Sequence, residues 1–360
     1  MTRTPHTRLR QTADSWQQVQ AIRQLAQDHA QRFAQNQPSL PAGHRPLFAA
    51  DDMRERRQWA NMLTFETKRS VTAHLDRAEQ LGATRRVAQA PRPDVFNPLM
   101  RDFPHFDEVT AHLQQRAALS RLGISRHLRL NPILLAGDPG VGKTAYAQAV
   151  AALLGVPFSK MEVGTMSAAF SLCGLDLGYE SGKPGLLWDL LQNECMSPLV
   201  ILDEIDKLGT DTHDTHLGPL YGLLEPVSAT RFSDAALGLP VDASYVSWLA
   251  TCNDVDRIEP ALRTRFKRFD VPAPTPREMR PVVASIQRQI RRTEEWAASF
   301  PAELPEDVMA CLCSMTPREA RQALTDAYAT AAMEDRRYLR PSDVFLQLDP
   351  PKPAMGFVSH

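Results

Sequence analysis

The chain has 360 residues, of which 43% are hydrophobic and 23% charged, and its formal net charge at pH 7 is −1. This composition is typical of a globular protein with two or three domains, and the balanced charge argues against nucleic-acid or membrane-surface binding by the chain as a whole. It contains no apolar run of about 18 residues and no apolar signal-peptide core near its start, so we expect no membrane span and a cytoplasmic location.

The N-terminal part, residues 1–100, carries 15 Lys and Arg against 9 Asp and Glu, a mild surplus that suits a solvated helical face better than a DNA-binding surface. Apolar spacing predicts an amphipathic helix within residues 1–37 and a second helical region from Asp51 to Gln89. Pro91–Pro98 (PRPDVFNP) is predicted to be an extended linker, because proline disfavours helix at itself and just before it. No chemical motif occurs in this part, and it fits a partner-docking module as well as a helical appendage.

A phosphate-binding motif follows in the middle of the chain. Gly137–Thr144 (GDPGVGKT) matches G-x-x-x-x-G-K-[ST] between an apolar strand, Pro132–Ala136, and a helix, Ala145–Leu154. Backbone N–H groups of such a loop and the start of the following helix bind phosphate oxygens. The predicted nucleotide-binding residues are Gly137, Asp138, Pro139, Gly140, Val141, Gly142, Lys143 and Thr144. Lys143 is expected to reach the β- and γ-phosphates, and the Thr144 hydroxyl to hold Mg²⁺.

Two later strands end in polar residues. Pro198–Leu202 (PLVIL) reads as a buried parallel strand, with Pro157–Glu162 as a shorter strand before it. Asp203 and Glu204 follow at the end of a sheet where α/β proteins bind ligands, so we assign Asp203 to the Mg²⁺ shell and Glu204 to the attacking water. Asn253, after a strand at 245–251, is placed to orient that water without adding charge.

The order of these motifs resembles that of the AAA+ ATPases, and the ATPase module of Lon-type proteases in particular. The resemblance covers residues 101–348. It rests on the phosphate loop, Pro198–Asp211 (PLVILDEIDKLGTD), Arg231–Leu237 (RFSDAAL), Val246–Phe266 (VSWLATCNDVDRIEPALRTRF) and the stretch TPREAR.

Several roles follow from this resemblance. Lys143 and Thr144 match the Walker A pair, Asp203 and Glu204 the Walker B pair, and Asn253 sensor 1. Arg265 matches the arginine finger that acts on a neighbouring subunit, with Arg263 as the alternative, and Arg318 matches the sensor-2 arginine, with Arg321 as the alternative. A finger acting in trans implies a homo-oligomeric ring, by resemblance a hexamer.

Two further motifs are weaker. Gly178–Leu187 corresponds to the substrate-gripping pore loop of Lon-like motors, with Tyr179 at the aromatic position, but Glu180 stands where an apolar residue is expected. A cover over the sheet is the other interpretation of Tyr179.

His213 and His216 have metal-ligand spacing but no third ligand, which favours a polar loop. The five cysteines lack disulfide or zinc spacing and are expected to be buried.

These observations predict a P-loop α/β protein with a three-layer α/β/α core around a parallel sheet. We expect an N-terminal helical region at 1–100, the nucleotide-binding domain at 101–273, a small helical lid at 274–350 and a tail at 351–360. The sequence stops soon after the lid, so we expect no peptidase domain.

The predicted function is ATP hydrolysis with Mg²⁺ that drives remodelling of a protein substrate. A nucleic-acid motor or loader is the alternative, and a nucleotide switch that scaffolds partners without hydrolysis is a second one.

Overall fold

The computed structural model describes residues 40–163, 168–177, 182–208 and 218–344, without the side chains of 168–170. The chain divides into two compact units, Met1–His44 and Arg45–His360. Only residues 40–44 of the first unit are described, so the helix predicted within residues 1–37 lies outside this range. No helix among the described residues is long and apolar enough to cross a membrane.

The second unit alternates strands with helices. The strands, including β1 at the unit boundary, are β1 (His44–Pro46), β2 (Thr84–Arg86), β3 (Ile133–Ala136), β4 (Phe158–Glu162), β5 (Leu199–Asp203), β6 (Phe232–Ser233), β7 (Pro240–Val241), β8 (Ser247–Cys252) and β9 (Lys267–Asp270). The helices are α1 (Ala50–Ala60), α2 (Phe65–Gln80), α3 (Asn97–Asp102), α4 (Asp107–Leu122), α5 (Lys143–Leu154), α6 (Ala168–Cys173), α7 (Leu186–Leu191), α8 (Gly218–Leu224), α9 (Pro226–Ala229), α10 (Pro260–Arg263), α11 (Pro276–Thr293), α12 (Glu306–Cys313) and α13 (Pro317–Met333).

Five strands form the central sheet in the order β4-β5-β8-β3-β9. All neighbouring pairs are parallel, so the carboxyl ends of the strands meet at one edge. The first four residues of β5 and all of β3 are buried, which explains their continuous apolar sequences, because a parallel sheet is covered on both faces. The predicted α/β class and parallel sheet are therefore confirmed.

Alternating residues of the same strands face two separate apolar layers. Leu134 of β3 and Val200 of β5 belong to one core, which also contains Trp188 of α7. Ile133 and Ile201 belong to the opposite core, with residues of α4 and α5. Side chains alternate between the two faces of a strand, so helices pack on both sides and the predicted three-layer α/β/α arrangement is confirmed.

Three helices at the end of the described chain form a separate apolar cluster. It contains Met279 and Val283 of α11, Leu312 of α12 and Leu324 of α13. α11 and α13 each begin with a threonine capping box, at Thr275 and Thr316, which satisfies backbone N–H groups that the first turn leaves free. The helices predicted after residue 277 are confirmed, whereas the domain boundaries stay a prediction.

Parts of the N-terminal prediction are wrong. Pro93–Phe96 is a 3₁₀ helix that runs into α3, so Pro91–Pro98 is not an extended linker. Pro93 and Pro98 lie within the first two positions of these helices, where a missing N–H costs little. The helical region expected from Asp51 to Gln89 is broken between α1 and α2 and ends in β2.

The far edge of the sheet and two cysteines also differ from the prediction. β9 was not predicted, because three of its four residues are charged (Lys267, Arg268 and Asp270), whereas the apolar strands beside it are buried. Cys173, Cys195 and Cys252 are buried as expected, but Cys311 and Cys313 are half-buried, since α12 lies at the surface of the small helical cluster.

Candidate active site

The phosphate loop joins the carboxyl end of β3 to the start of α5. Gly140 and Gly142 have φ angles of 88° and 99°, in the left-handed region that glycine adopts without strain. At Gly137 the chain passes so close to Val271 that an added Cβ would lie 2.3 Å from that carbonyl oxygen. The predicted strand, loop and helix are thus present, with the first turn of α5 directed at the loop.

The Lys143 side chain is buried and held by oxygen atoms around the loop. Its Nζ donates to the carbonyl oxygens of Gly137 and Asp138 and, at 3.0 Å, to Oδ1 of Asn253. Burial lowers the pKa of the ammonium group below its usual value, and nearby acidic groups oppose that shift. The predicted lysine and the predicted sensor residue are therefore in direct contact.

Asp203 lies at the carboxyl end of β5 with both carboxylate oxygens engaged. Oδ1 accepts from the hydroxyls of Thr251, at 2.5 Å, and Thr144, at 3.3 Å, and Oδ2 pairs with Nζ of Lys160 at 2.9 Å. Burial raises the pKa of Asp203, but the bonds from Thr251 and Lys160 outweigh it, so that the pKa lies below its usual value. The carboxyl group is therefore held as an anion.

Glu204 has a different environment from its neighbour. Its backbone is left-handed, with φ of 57°, and its N–H donates to the Thr251 hydroxyl at 3.0 Å. Its side chain is 40% exposed and pairs with Lys207 at 2.5 Å. The turn thus directs Asp203 toward Thr144 and leaves Glu204 at the cleft surface, accessible to water.

Asn253 is positioned by a buried acid that the sequence analysis did not select. Oδ2 of Asp206 accepts the backbone N–H groups of Asn253 and Asp254 at 3.0 and 3.1 Å. The turn after β5 is thereby tied to the turn after β8. Asp206 follows the predicted Asp203–Glu204 pair by two residues, but its role depends on strand pairing, which one segment does not reveal.

These groups line a cleft of about 480 Å³ between the sheet edge and the helices α11 and α13. Arg318 and Arg321 both face it. An added Cβ at Gly140 would lie 3.2 Å from Cβ of Arg318, whereas Arg321 donates to Gln289 at 2.8 Å. Arg318 is therefore packed against the phosphate loop. Both candidates for the sensor-2 arginine, Arg318 and Arg321, line the cleft.

A neighbouring cavity of about 600 Å³ shares His105 and Asn253 with the cleft. Its lining contains neither Lys143 nor Asp203. It is rich in carboxylates, with Asp107, Glu108, Asp254, Asp256 and Asp270 against Arg268. A cluster of acids repels phosphate, so the smaller cleft suits a triphosphate better.

Arg265 lies at the other end of the sheet. It precedes β9, whose first residue pairs with Ile133 and whose last residue pairs with Ala136 beside the phosphate loop, a separation of about 10 Å along the strand. Its guanidinium pairs with Glu225 at 3.0 Å and donates to the carbonyl oxygen of Ala261. Arg263 instead pairs with Asp256 at 3.3 Å. Neither arginine lines the cleft of its own chain.

Two residues that contact Asp203, Thr251 and Lys160, belong to no sequence motif. Thr251 was read only as part of a strand, and Lys160 only as part of β4, although both contact Asp203. Cross-strand register would reveal them, but apolar periodicity does not. The pore-loop residues Tyr179 and Glu180, and also His213 and His216, lie outside the described residues.

The donor atoms fit magnesium. Thr144 and Asp203 offer a hydroxyl and a carboxylate oxygen on adjacent segments, the hard oxygen ligands that Mg²⁺ takes alongside phosphate oxygens and water. Within the described ranges, no group of three His, Cys, Asp or Glu residues could hold a metal ion. A metal here would therefore depend on the nucleotide for the rest of its ligands.

Comparison with known proteins agrees with this geometry. Residues 133–276 match the ATPase family associated with various cellular activities (AAA). Lon protease of Chloroflexus aurantiacus is 35% identical over 223 residues, 59% of this chain and 26% of that protein. Lon protease of Desulfovibrio desulfuricans is 36% identical over 149 residues, 41% and 17% of the two chains.

A peroxisomal relative is similar as well. Lon protease homolog 2, peroxisomal, of Caenorhabditis elegans is 32% identical over 166 residues, 46% of this chain and 21% of that protein. The matches thus span about a quarter or less of each relative's length. The family match covers all five strands of the central sheet and the phosphate loop. Residues 133–276 thus form a domain of the AAA family, and the chain is related to the Lon proteases over part of their length.

Proposed function

We propose that this protein binds and hydrolyses ATP with Mg²⁺ and uses the reaction to remodel a protein substrate. The observation that carries the proposal is the convergence of Lys143, Thr144, Asp203, Glu204 and Asn253 on one cleft. They come from two strand ends and one helix start that are far apart in sequence. An ordinary βα turn would not gather a buried ammonium, a hydroxyl, two carboxylates and an amide at one sheet edge.

Binding is proposed to begin at the phosphate loop. The backbone N–H groups at Gly140–Thr144 and the positive end of α5 attract the phosphates, and Lys143 exchanges its carbonyl partners for phosphate oxygens. Thr144 and Asp203 would hold Mg²⁺, which would neutralise negative charge on the phosphates. The Asp203 anion is already oriented toward Thr144 by Thr251.

Hydrolysis is proposed to use the residues at the open side of the cleft. Glu204 accepts hydrogen bonds from the attacking water and polarises it, which its partial exposure permits. Asn253 orients that water through its amide while Asp206 holds its backbone. Arg318 of α13 would contact the bound nucleotide and so couple it to the helical lid.

The finger is proposed to come from a neighbouring subunit. Arg265 lies at the opposite end of β9 from the phosphate loop of its own chain, which supports action in trans. A guanidinium so supplied stabilises charge on the transferring phosphoryl group, and repetition of the contact gives a ring, for which we propose six subunits. The relatives named above are proteases, which supports a protein substrate.

The test compares the Glu204→Gln variant with wild type in two assays, steady-state phosphate release and ATP-dependent assembly by light scattering. We expect turnover to fall by about a hundredfold or more while assembly persists, because the amide keeps the shape of the side chain. Glu55→Gln, an exposed change on α1, serves as the control. Unchanged turnover in Glu204→Gln would show that Glu204 is not the base.

A further inference from the structure

Lys160 contacts the proposed nucleotide site but belongs to none of the sequence motifs assigned to it. Its role, inferred below, rests on the proposed function. Lys160 lies on β4, the strand next to β5, and its side chain lines the nucleotide cleft. Its Nζ lies 2.9 Å from Oδ2 of Asp203 and 3.2 Å from Oε1 of Glu162. One ammonium group thus bridges two carboxylates at the cleft wall.

The register of the two strands explains why a cation is needed there. Glu162 of β4 is directly opposite Asp203 of β5, and Lys160 is opposite Ile201. Like charges on directly opposed residues destabilise a pair of strands. Lys160 is two residues before Glu162 and therefore on the same face, from which it reaches both carboxylates.

The second lysine of the cleft does not serve this purpose. Lys143 donates to two backbone carbonyls and to the amide oxygen of Asn253, all of which are neutral. Lys143 acts on Asp203 only through space, whereas Lys160 is paired directly with both Asp203 and Glu162. An ATP molecule without metal brings about four further negative charges, so repulsion from this wall would rise steeply if Lys160 were absent.

We infer that Lys160 is a positioning residue of the nucleotide site, which holds Asp203 toward Thr144 and compensates the acidic wall until the metal arrives. Mg²⁺ beside Asp203 would supply positive charge at the same place. Loss of Lys160 is therefore expected to weaken metal-free nucleotide binding more than metal-bound binding. A lysine that only stabilised the fold would affect both equally.

The experiment measures the dissociation constant of a fluorescent ATP analogue in EDTA and in Mg²⁺ for each variant. For Lys160→Met we expect the metal-free constant to rise about tenfold and the Mg²⁺ constant by less than about threefold. Lys160→Arg keeps the charge and is expected to retain the wild-type ratio. Melting temperatures of all variants check that each one folds.

A double variant separates the loss of charge compensation from any loss of folded structure caused by the Lys160 substitution. Lys160→Met combined with Glu162→Gln removes one of the two opposed charges, and we expect it to recover metal-free binding to within about threefold of wild type. Equal losses in EDTA and Mg²⁺, or no loss, would overturn the inference. Failure of the wild-type chain to bind the analogue at all would instead refute the proposed function, and the inference with it.

Discussion

Replacing Thr251 by valine would remove the hydroxyl that links the two acidic residues while keeping the shape of the side chain. Thr251 is 1% exposed. Its hydroxyl donates to Oδ1 of Asp203 at 2.5 Å and accepts the Glu204 backbone N–H at 3.0 Å. The substitution therefore cuts two bonds at once and leaves the β-branched packing in the strand intact.

The magnitude follows from these two bonds. A hydrogen bond to a charged group contributes about 1.5–3 kcal/mol, and an N–H left without a partner costs about 1–3 kcal/mol when buried. Because Glu204 is partly exposed, water can replace part of the second bond. We expect the free energy of unfolding to fall by about 3 kcal/mol, and kcat to fall at least about tenfold because both acids lose their orientation.

Urea denaturation and steady-state phosphate release measure the two effects. Thr251→Ser keeps the hydroxyl and is expected to retain most of the activity. Thr110→Val is the matched control, since Thr110 is also fully buried and its hydroxyl makes two hydrogen bonds, to Phe106 and Tyr146. It should lower stability without lowering kcat of the folded protein.

The reasoning would be refuted by a Thr251→Val protein with wild-type kcat. In that case the orientation of Asp203 and Glu204 would not depend on this hydroxyl. A fall in kcat as large in Thr110→Val would also refute it, because the loss would then follow stability alone.

Three further predictions concern other parts of the second unit. Asp206→Ala leaves two backbone N–H groups beside Asn253 without their acceptor, so we expect kcat to fall at least about tenfold with little change in nucleotide affinity, as measured by fluorescence titration. Asp234 is fully buried, and burial raises its pKa from 3.8 to about 6. Because the folded state then binds the proton more tightly, stability falls as pH rises from about 4 to about 6, and relative to Asp234→Asn the wild type should lose about 3 kcal/mol between pH 4 and 7 in urea titrations. Arg265→Ala should bind ATP normally yet turn over about a thousandfold more slowly, and mixing it with Glu204→Gln should restore measurable phosphate release, whereas a mixture as inactive as its components would argue against a finger in trans.

Much of the nucleotide site was predictable because its signals are local. The phosphate loop needs glycine at φ angles that other residues avoid, and Asp203 follows an apolar run that has to be a buried strand. These features lie within single segments of about ten residues. Their assembly at one sheet edge then follows from the parallel arrangement of the strands, which the buried apolar sequences also indicate.

The parts that sequence analysis missed depend on pairing between segments. Lys160 and Thr251 contact Asp203 only because β4 and β8 flank β5, and no periodicity within either strand shows that. β9 was missed because Lys267 and Arg268 are exposed at an edge strand, where charge is tolerated. The 3₁₀ helix that begins at Pro93 was missed because proline was interpreted as a helix breaker, although it is also common at the first position of a helix.

The connection between β9 and α11 would determine how the proposed lid moves. Residues 271–275 (VPAPT) contain two prolines, and a third, Pro276, begins α11. Proline fixes backbone φ and stiffens an extended segment. A glycine-rich joint would absorb a displacement of α13 by local bending. In the proposed mechanism a stiff connection would instead transmit a small shift of Arg318 at the phosphate loop as a joint rotation of α11, α12 and α13.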